Sequence, residues 1–205
     1  MPHHLDYPAA VRRDGLGLAD AAEAAGPAAP VPGCPGWDVA ELVWHFTEVQ
    51  YFWAEIVALR LQDPEAVVRL ERPEGFPALL ARCRSGVEHL ASTLAATDPA
   101  TPVWTWARRK DAGFVIRHQA QEAAVHRWDA EHAAGRAFSI EPDLAADSID
   151  EILEHTAAWR NEGAPPVGGA VHLHATDAAG EWTISEDAAG ALVVQRREAL
   201  ERGGR

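Results

Sequence analysis

Leu42, Phe46, Val49, Trp53 and Ile56 return at alternating intervals of four and three, which is the spacing of one buried stripe along a helix. The start of that helix is written just ahead of it, in Trp37-Asp38-Val39-Ala40-Glu41-Leu42. Asp38 suits the N-cap, Glu41 stands where a capping box places its acidic residue, and Trp37 can staple against Leu42. Leu80, Cys83, Val87, Leu90 and Leu94 repeat the pattern and predict another helix beginning near Pro77. An earlier helix, from about Leu5 to Ala25, is broken by the Pro/Gly-rich stretch Gly26 to Gly36. After Asp98-Pro99-Ala100-Thr101-Pro102, the piece Val103-Trp104-Thr105-Trp106 reads as extended or looped. A fourth helix follows from about Ala112 to Ala134, and a fifth from about Pro142 to Asn161 carries Ile149, Ile152, Leu153 and Trp159.

At Pro165-Pro166-Val167-Gly168-Gly169 the period changes from helical to twofold. Val171 to Thr176, Trp182 to Ser185 and Leu192 to Val194 read as three short strands, separated by turns at Asp177 to Gly180 and Asp187 to Gly190. A meander of roughly 35 residues is too small to stand alone and is expected to pack on helices. The fold class is therefore α+β, a helical bundle over residues 1–163 and a small antiparallel β unit over 164–205.

The fourth helix departs from the usual pattern. Its repeating face is Glu122, His126 and Asp129, flanked by the small residues Ala120, Ala123 and Ala124. Glu122 and His126 stand four apart, so their side chains stack on one helix face and can share a metal ion. His45, beside the apolar stripe of the second helix, is the natural third ligand, because antiparallel helices bring their middles together. His, Glu and His with one open position suit zinc first, and also iron, nickel or cobalt. Asp129, one turn beyond His126, is placed to orient that imidazole through its other nitrogen. A solvated ion pair of Glu122 with His126 is the competing explanation by spacing alone. Phe114, Val125 and Trp128 around the same helix argue instead that it is buried on most sides, where charges pair or bind metal.

Charge and composition narrow the remaining classes. The net charge is -13, with Lys and Arg scattered along the chain, so the footprint of a nucleic-acid binder is absent, as is attraction to an anionic membrane. No apolar run is long enough to span a bilayer, and the N-terminus lacks a signal-peptide core. Cys34 and Cys83, without CxxC spacing, are expected to be ordinary thiols of a reducing compartment, and the protein is placed in the cytoplasm. His3 and His4 are assigned no role. Arg117 is a candidate contact for substrate carboxylates, and Trp44 and Trp128, with Trp104 and Trp106, are candidates to line an apolar pocket. An exposed sheet edge would favour a homodimer.

Three passages, PGWDVAELVWHFTEVQYFW, PVWTW followed by RHQAQEAAVHRWDAE, and VHLHATDAAGEW, together resemble the mycothiol-dependent maleylpyruvate isomerase family within the DinB-like helical-bundle superfamily. The likeness runs from the first helix to about Trp182. It implies a DinB-like four-helix bundle whose metal, usually zinc, is held by His45, Glu122 and His126. It further implies a low-molecular-weight thiol, mycothiol or a similar one, ionised at the metal and adding to an electrophilic small molecule, with cis-trans isomerisation or S-transfer as the result. A non-catalytic metal- or ligand-binding stress-response module and a metal-dependent hydrolase are the alternatives. Two departures stand out. Gln121 occupies a position where the family commonly has histidine, and the C-terminal unit is expected to be a shortened form of the family's sterol-carrier-like domain, of which it resembles the start.

Overall fold

The computed structural model describes residues 5–158 and 165–197, with the side chains of 156–158 left aside. Two compact units result, one spanning Asp6–Ile140 and the other beginning at Glu141. The first contains four helices: α1 (Tyr7–Ala25), α2 (Val39–Ala58), α3 (Phe76–Ala96) and α4 (Ala112–Ala133). Three of them begin at aspartates whose carboxylates accept backbone N–H groups left over by the first turn. Asp6 accepts from Ala9 N at 3.0 Å, Asp38 from Glu41 N at 2.9 Å and Asp111 from Phe114 N at 3.0 Å. The second helix thus starts where its capping sequence places it.

Within this bundle α1 packs against α4 and α3, and α2 against α3 and α4. Leu18 of α1, Leu42, Val43 and Phe46 of α2, Leu79, Cys83 and Val87 of α3, and Ala123 and Ala130 of α4 form one buried cluster. The stripe expected along α2 holds at Leu42, Phe46, Trp53 and Ile56, all buried, but Val49 is only partly covered and Gln50 is fully buried beside it. Glycines make the room. A Cβ on Gly15 of α1 would come within 3.3 Å of Gln50 Nε2, and one on Gly86 of α3 within 3.3 Å of Gln50 Oε1.

Between α1 and α2 the Pro/Gly stretch is an ordered loop. Val31 N donates to Trp37 O and Cys34 N to Val31 O, both at 3.0 Å, so the segment Pro32 to Gly36 forms a tight excursion. The Val103 to Trp106 piece is also a loop, tied by Trp104 N to Leu61 O at 2.6 Å.

The second unit holds α5 (Pro142–Ala158) and a meander of β1 (Val171–His174), β2 (Glu181–Glu186) and β3 (Leu192–Arg197), antiparallel in the order β1-β2-β3. α5 is in contact with β3 and belongs to the second unit. Trp182 of β2 is buried and its Nε1 donates to Asp150 Oδ1 at 2.7 Å, while Arg196 of β3 pairs with Asp150 Oδ2 at 2.8 Å. Of the apolar residues α5 carries, Ile152 is 60% exposed and Ile149 and Leu153 are partly exposed, whereas Leu144, Asp147, Glu151 and His155 are buried. Both sets have helical spacing, and spacing alone does not say which face meets a neighbour. Trp159 and Asn161 lie outside the described residues, as do His3 and His4.

Candidate metal centre

The packing of α2 on α4 brings together three side chains from distant parts of the chain. His45 and His126 meet with ring centroids 5.1 Å apart and planes at 81°. Glu122 Oε2 lies 3.4 Å from His126 Nε2. One ligand atom from each of His45, Glu122 and His126 falls within 4.8 Å of the other two. Donors bound to one tetrahedral zinc at about 2.0–2.2 Å stand about 3.4 Å apart, so small side-chain rotations bring all three into range. Two imidazoles and a carboxylate, all partly buried, fit a borderline divalent cation and leave a coordination position open.

Asp129 is placed behind His126 as its spacing predicts. Its Oδ2 is 3.2 Å from His126 Nδ1, which directs Nε2 toward Glu122. The loop before α2 closes over this carboxylate. Cys34 Sγ reaches Asp129 Oδ2 at 3.9 Å, and a Cβ at Gly33 would run into Asp129 Oδ1, so only glycine lets the loop pass so close. Arg127, the residue after His126, reaches back to α1: its Nη1 bonds Asp14 Oδ1 at 3.0 Å, and Asp14 is itself fully covered. Gly17 leaves space for that guanidinium, since a Cβ there would lie 2.5 Å from Arg127 Nε. This pairing fixes α4 against α1 next to the site.

His118 is the residue that reading the chain missed. Its Nε2 stands 3.6 Å from Glu122 Oε1, so Glu122 lies between two histidines one turn away on either side. The same four-residue spacing that singled out His126 applies to His118 and could have found it. Its ring stacks on Phe114 at 5.2 Å and 14° and meets the edges of Trp106 at 5.4 Å and Trp53 at 6.2 Å. On the other side, Trp37 lies 5.0 Å from His45 and Phe46 lies 6.1 Å from His126. Of the tryptophans named as pocket candidates, Trp44 has Arg72 over its ring at 5.7 Å and Trp128 tilts on His132 at 5.0 Å and lies beside Gly33. Trp128 and Val125 are 38% and 44% exposed, so they do not bury α4; the buried residues Phe114, Ala120, Ala123 and Ala124 do. Arg117 is partly buried on α4, and Gln121 is buried.

Each member of the trio has a distinct electrostatic setting. Burial, then the neighbouring positive charge of His126, lowers the pKa of His45 against the pull of Glu122, leaving its lone pair free at neutral pH. Burial would raise the Glu122 carboxyl, but the hydrogen bond from His126 and the charges of His118, His126 and His45 outweigh it and hold Glu122 ionised. His126 is opposed by burial as well, yet its bonds to Asp129 and Glu122 and their negative charges push it up to about 9. Cys34 is shifted upward by burial and by Asp129, which makes it a poor nucleophile.

Four packed helices with an inward His-Glu-His cluster define the first unit as a DinB-like bundle with a candidate metal centre. Residues 9–131 match the family model described as the mycothiol maleylpyruvate isomerase N-terminal domain, a span that includes His45, Glu122, His126 and Asp129. The chain belongs to that family, which is linked to mycothiol-dependent enzymes. No curated protein and no solved structure matches it. Among the described residues no helix is long and apolar enough to cross a membrane.

Proposed function

We propose that the protein is a metal-dependent enzyme that uses a low-molecular-weight thiol, mycothiol, to attack an electrophilic small molecule. The convergence of His45, Glu122 and His126 from α2 and α4, with Asp129 behind His126, is the observation that carries this reading. A divalent cation, zinc first, would keep the thiol ionised at neutral pH, where an ordinary thiol of pKa about 8.5 is mostly protonated. His45, its pKa lowered by burial and by His126, offers an unprotonated nitrogen at neutral pH. Asp129 holds the Nδ1 proton of His126 and so presents Nε2 toward Glu122. Trp37 against His45, Phe46 against His126 and His118 beside Glu122 place aromatic rings next to each member of the trio.

With an unsaturated acid such as maleylpyruvate, thiolate addition turns the cis double bond into a single bond; rotation and expulsion of the same thiolate give the trans isomer. With an electrophile that carries a leaving group, or with an epoxide, the new carbon–sulfur bond is kept and the reaction is S-transfer. Cytoplasmic thiol pools suit both, and the free thiols Cys34 and Cys83 are in keeping with that compartment. The test is an assay on the whole chain with mycothiol and a panel of small electrophiles that follows thiol loss for S-transfer and conversion of the cis to the trans acid for isomerisation, in which the thiol is regenerated. Turnover should be abolished by a strong chelator and by His45→Ala or Glu122→Ala. Thiol-dependent turnover indifferent to chelation would overturn the reading, turnover without thiol would mark a hydrolase, and metal without turnover of either kind a binding module.

A further inference from the structure

A second cluster of ligand-type side chains lies on the sheet and shares no residue with the first. Along β1, His172 and His174 are two residues apart and therefore project from one face of the strand. Their partners in β2 are Thr183 and Glu181, which occupy the same face. His174 Nδ1 stands 3.1 Å from Glu181 Oε1, and His172 Nδ1 stands 3.3 Å from Thr183 Oγ1. One ligand atom from each of His172, His174 and Glu181 lies within 4.8 Å of the other two.

We propose that His172, His174 and Glu181 form a second divalent-cation site, for zinc or a neighbouring borderline metal, on the solvent-facing side of the sheet. The donor set is two imidazoles and one carboxylate, the combination that binds such ions with a position left for water. Strand geometry supplies the preorganisation. Successive residues alternate faces, so Trp182, between Glu181 and Thr183, points the other way, is buried and is anchored to Asp150 of α5. That anchor fixes the level of Glu181 opposite His174, and the ladder fixes His172 opposite Thr183. An ion pair between His174 and Glu181 uses two of these residues and a bond to Thr183 holds the third, yet a ligand atom of His172 still lies within 4.8 Å of both others. Both histidines are exposed, which lets a metal enter from solvent without any opening of the fold.

The experiment is calorimetric titration of the whole metal-free chain with Zn²⁺, in the wild type, in His172→Ala/His174→Ala, in His45→Ala/Glu122→Ala and in the fourfold variant, with circular dichroism as the check on folding. The sheet variant should bind one zinc fewer than the wild type. The variant lacking the bundle ligands should keep one zinc, and the fourfold variant should lose it. An unchanged zinc count in the sheet variant, or none bound when only the bundle ligands are removed, overturns the proposal. Failure of the bundle centre alone would show as a count unaffected by His45→Ala/Glu122→Ala, which is a separate result. A measurement on the wild type guards against a misfolded variant: Cu²⁺ added to two equivalents, enough for both centres, should broaden the ring NMR signals of His172 and His174, and sharp signals from both would equally overturn the site.

Discussion

His126 presents its Nδ1 to Asp129 Oδ2 at 3.2 Å and its Nε2 to Glu122 Oε2 at 3.4 Å, so a single ring links the carboxylate within the cluster to the one behind it. Carboxylates behind a ligand histidine fix its orientation and raise its basicity, and their loss costs about 10–100-fold in metal affinity. Asp129→Asn should weaken zinc binding in that range. Chelator competition in a His172→Ala/His174→Ala background reads this centre alone, and unchanged affinity would show that Asp129 does not orient His126.

Gly33→Ala should act on the same carboxylate from the opposite side. The added Cβ meets Asp129 Oδ1, so either the loop or Asp129 must move. The expectation is a loss of zinc affinity comparable to that of Asp129→Asn, with a change in thermal stability within about 1 kcal/mol because the position is on a surface loop. A variant that binds zinc as the wild type does would place the loop farther from Asp129 than described.

The raised pKa of His126, about 9, dictates how the metal-free chain responds to pH. In the unfolded chain a histidine titrates near about 6.5. The folded state therefore holds the extra proton more tightly, and its stabilisation is fully present below about 6.5 and lost as pH rises through about 9. The contribution is on the order of 3 kcal/mol, and urea unfolding of metal-free protein at pH 6 and pH 9.5 measures it; His126→Gln should flatten the difference. Zinc must displace this proton, so binding near neutral pH should release it and tighten as pH rises. Titrations in buffers of different ionisation enthalpy count the protons.

Thiol reactivity separates the two cysteines. Burial pushes Cys83 up to about 11, and Cys34 is raised by partial burial and by Asp129. At neutral pH a disulfide reagent should label Cys34 more slowly than a free thiol and Cys83 only after unfolding. Rapid labelling of Cys34 would indicate a nucleophile within the protein, where the proposed chemistry takes it from a small thiol.

Phe46 is fully buried in the bundle core and also faces His126 at 6.1 Å, so it joins packing to the site. Phe46→Ala should cost about 3–5 kcal/mol in chemical denaturation. Phe46→Leu, closer in volume, should retain most of that stability, and a comparable loss from both variants would argue that the ring edge on His126, rather than volume, matters.

Much of this was legible in the chain because it depends on neighbours a turn or two apart. Asp38 capping α2, the Leu42/Phe46/Trp53/Ile56 stripe, the Glu122/His126/Asp129 face and the three strands all follow from local spacing, and the structure shows them in those positions. His118 was equally local, at the same interval before Glu122 and after Phe114, whereas Trp53 and Trp106, which also meet its ring, reach it only in space. Tertiary packing decided the rest. It seated His45 of α2 beside His126 of α4, brought Gly33 and Cys34 against Asp129, exposed Val125 and Trp128, and sent α5 to the sheet through Asp150. Periodicity reports that a helix has faces; which face meets which neighbour is settled by glycines that admit a side chain, as Gly15, Gly17 and Gly33 do, and by charges that need partners, as Asp14 and Arg127 do.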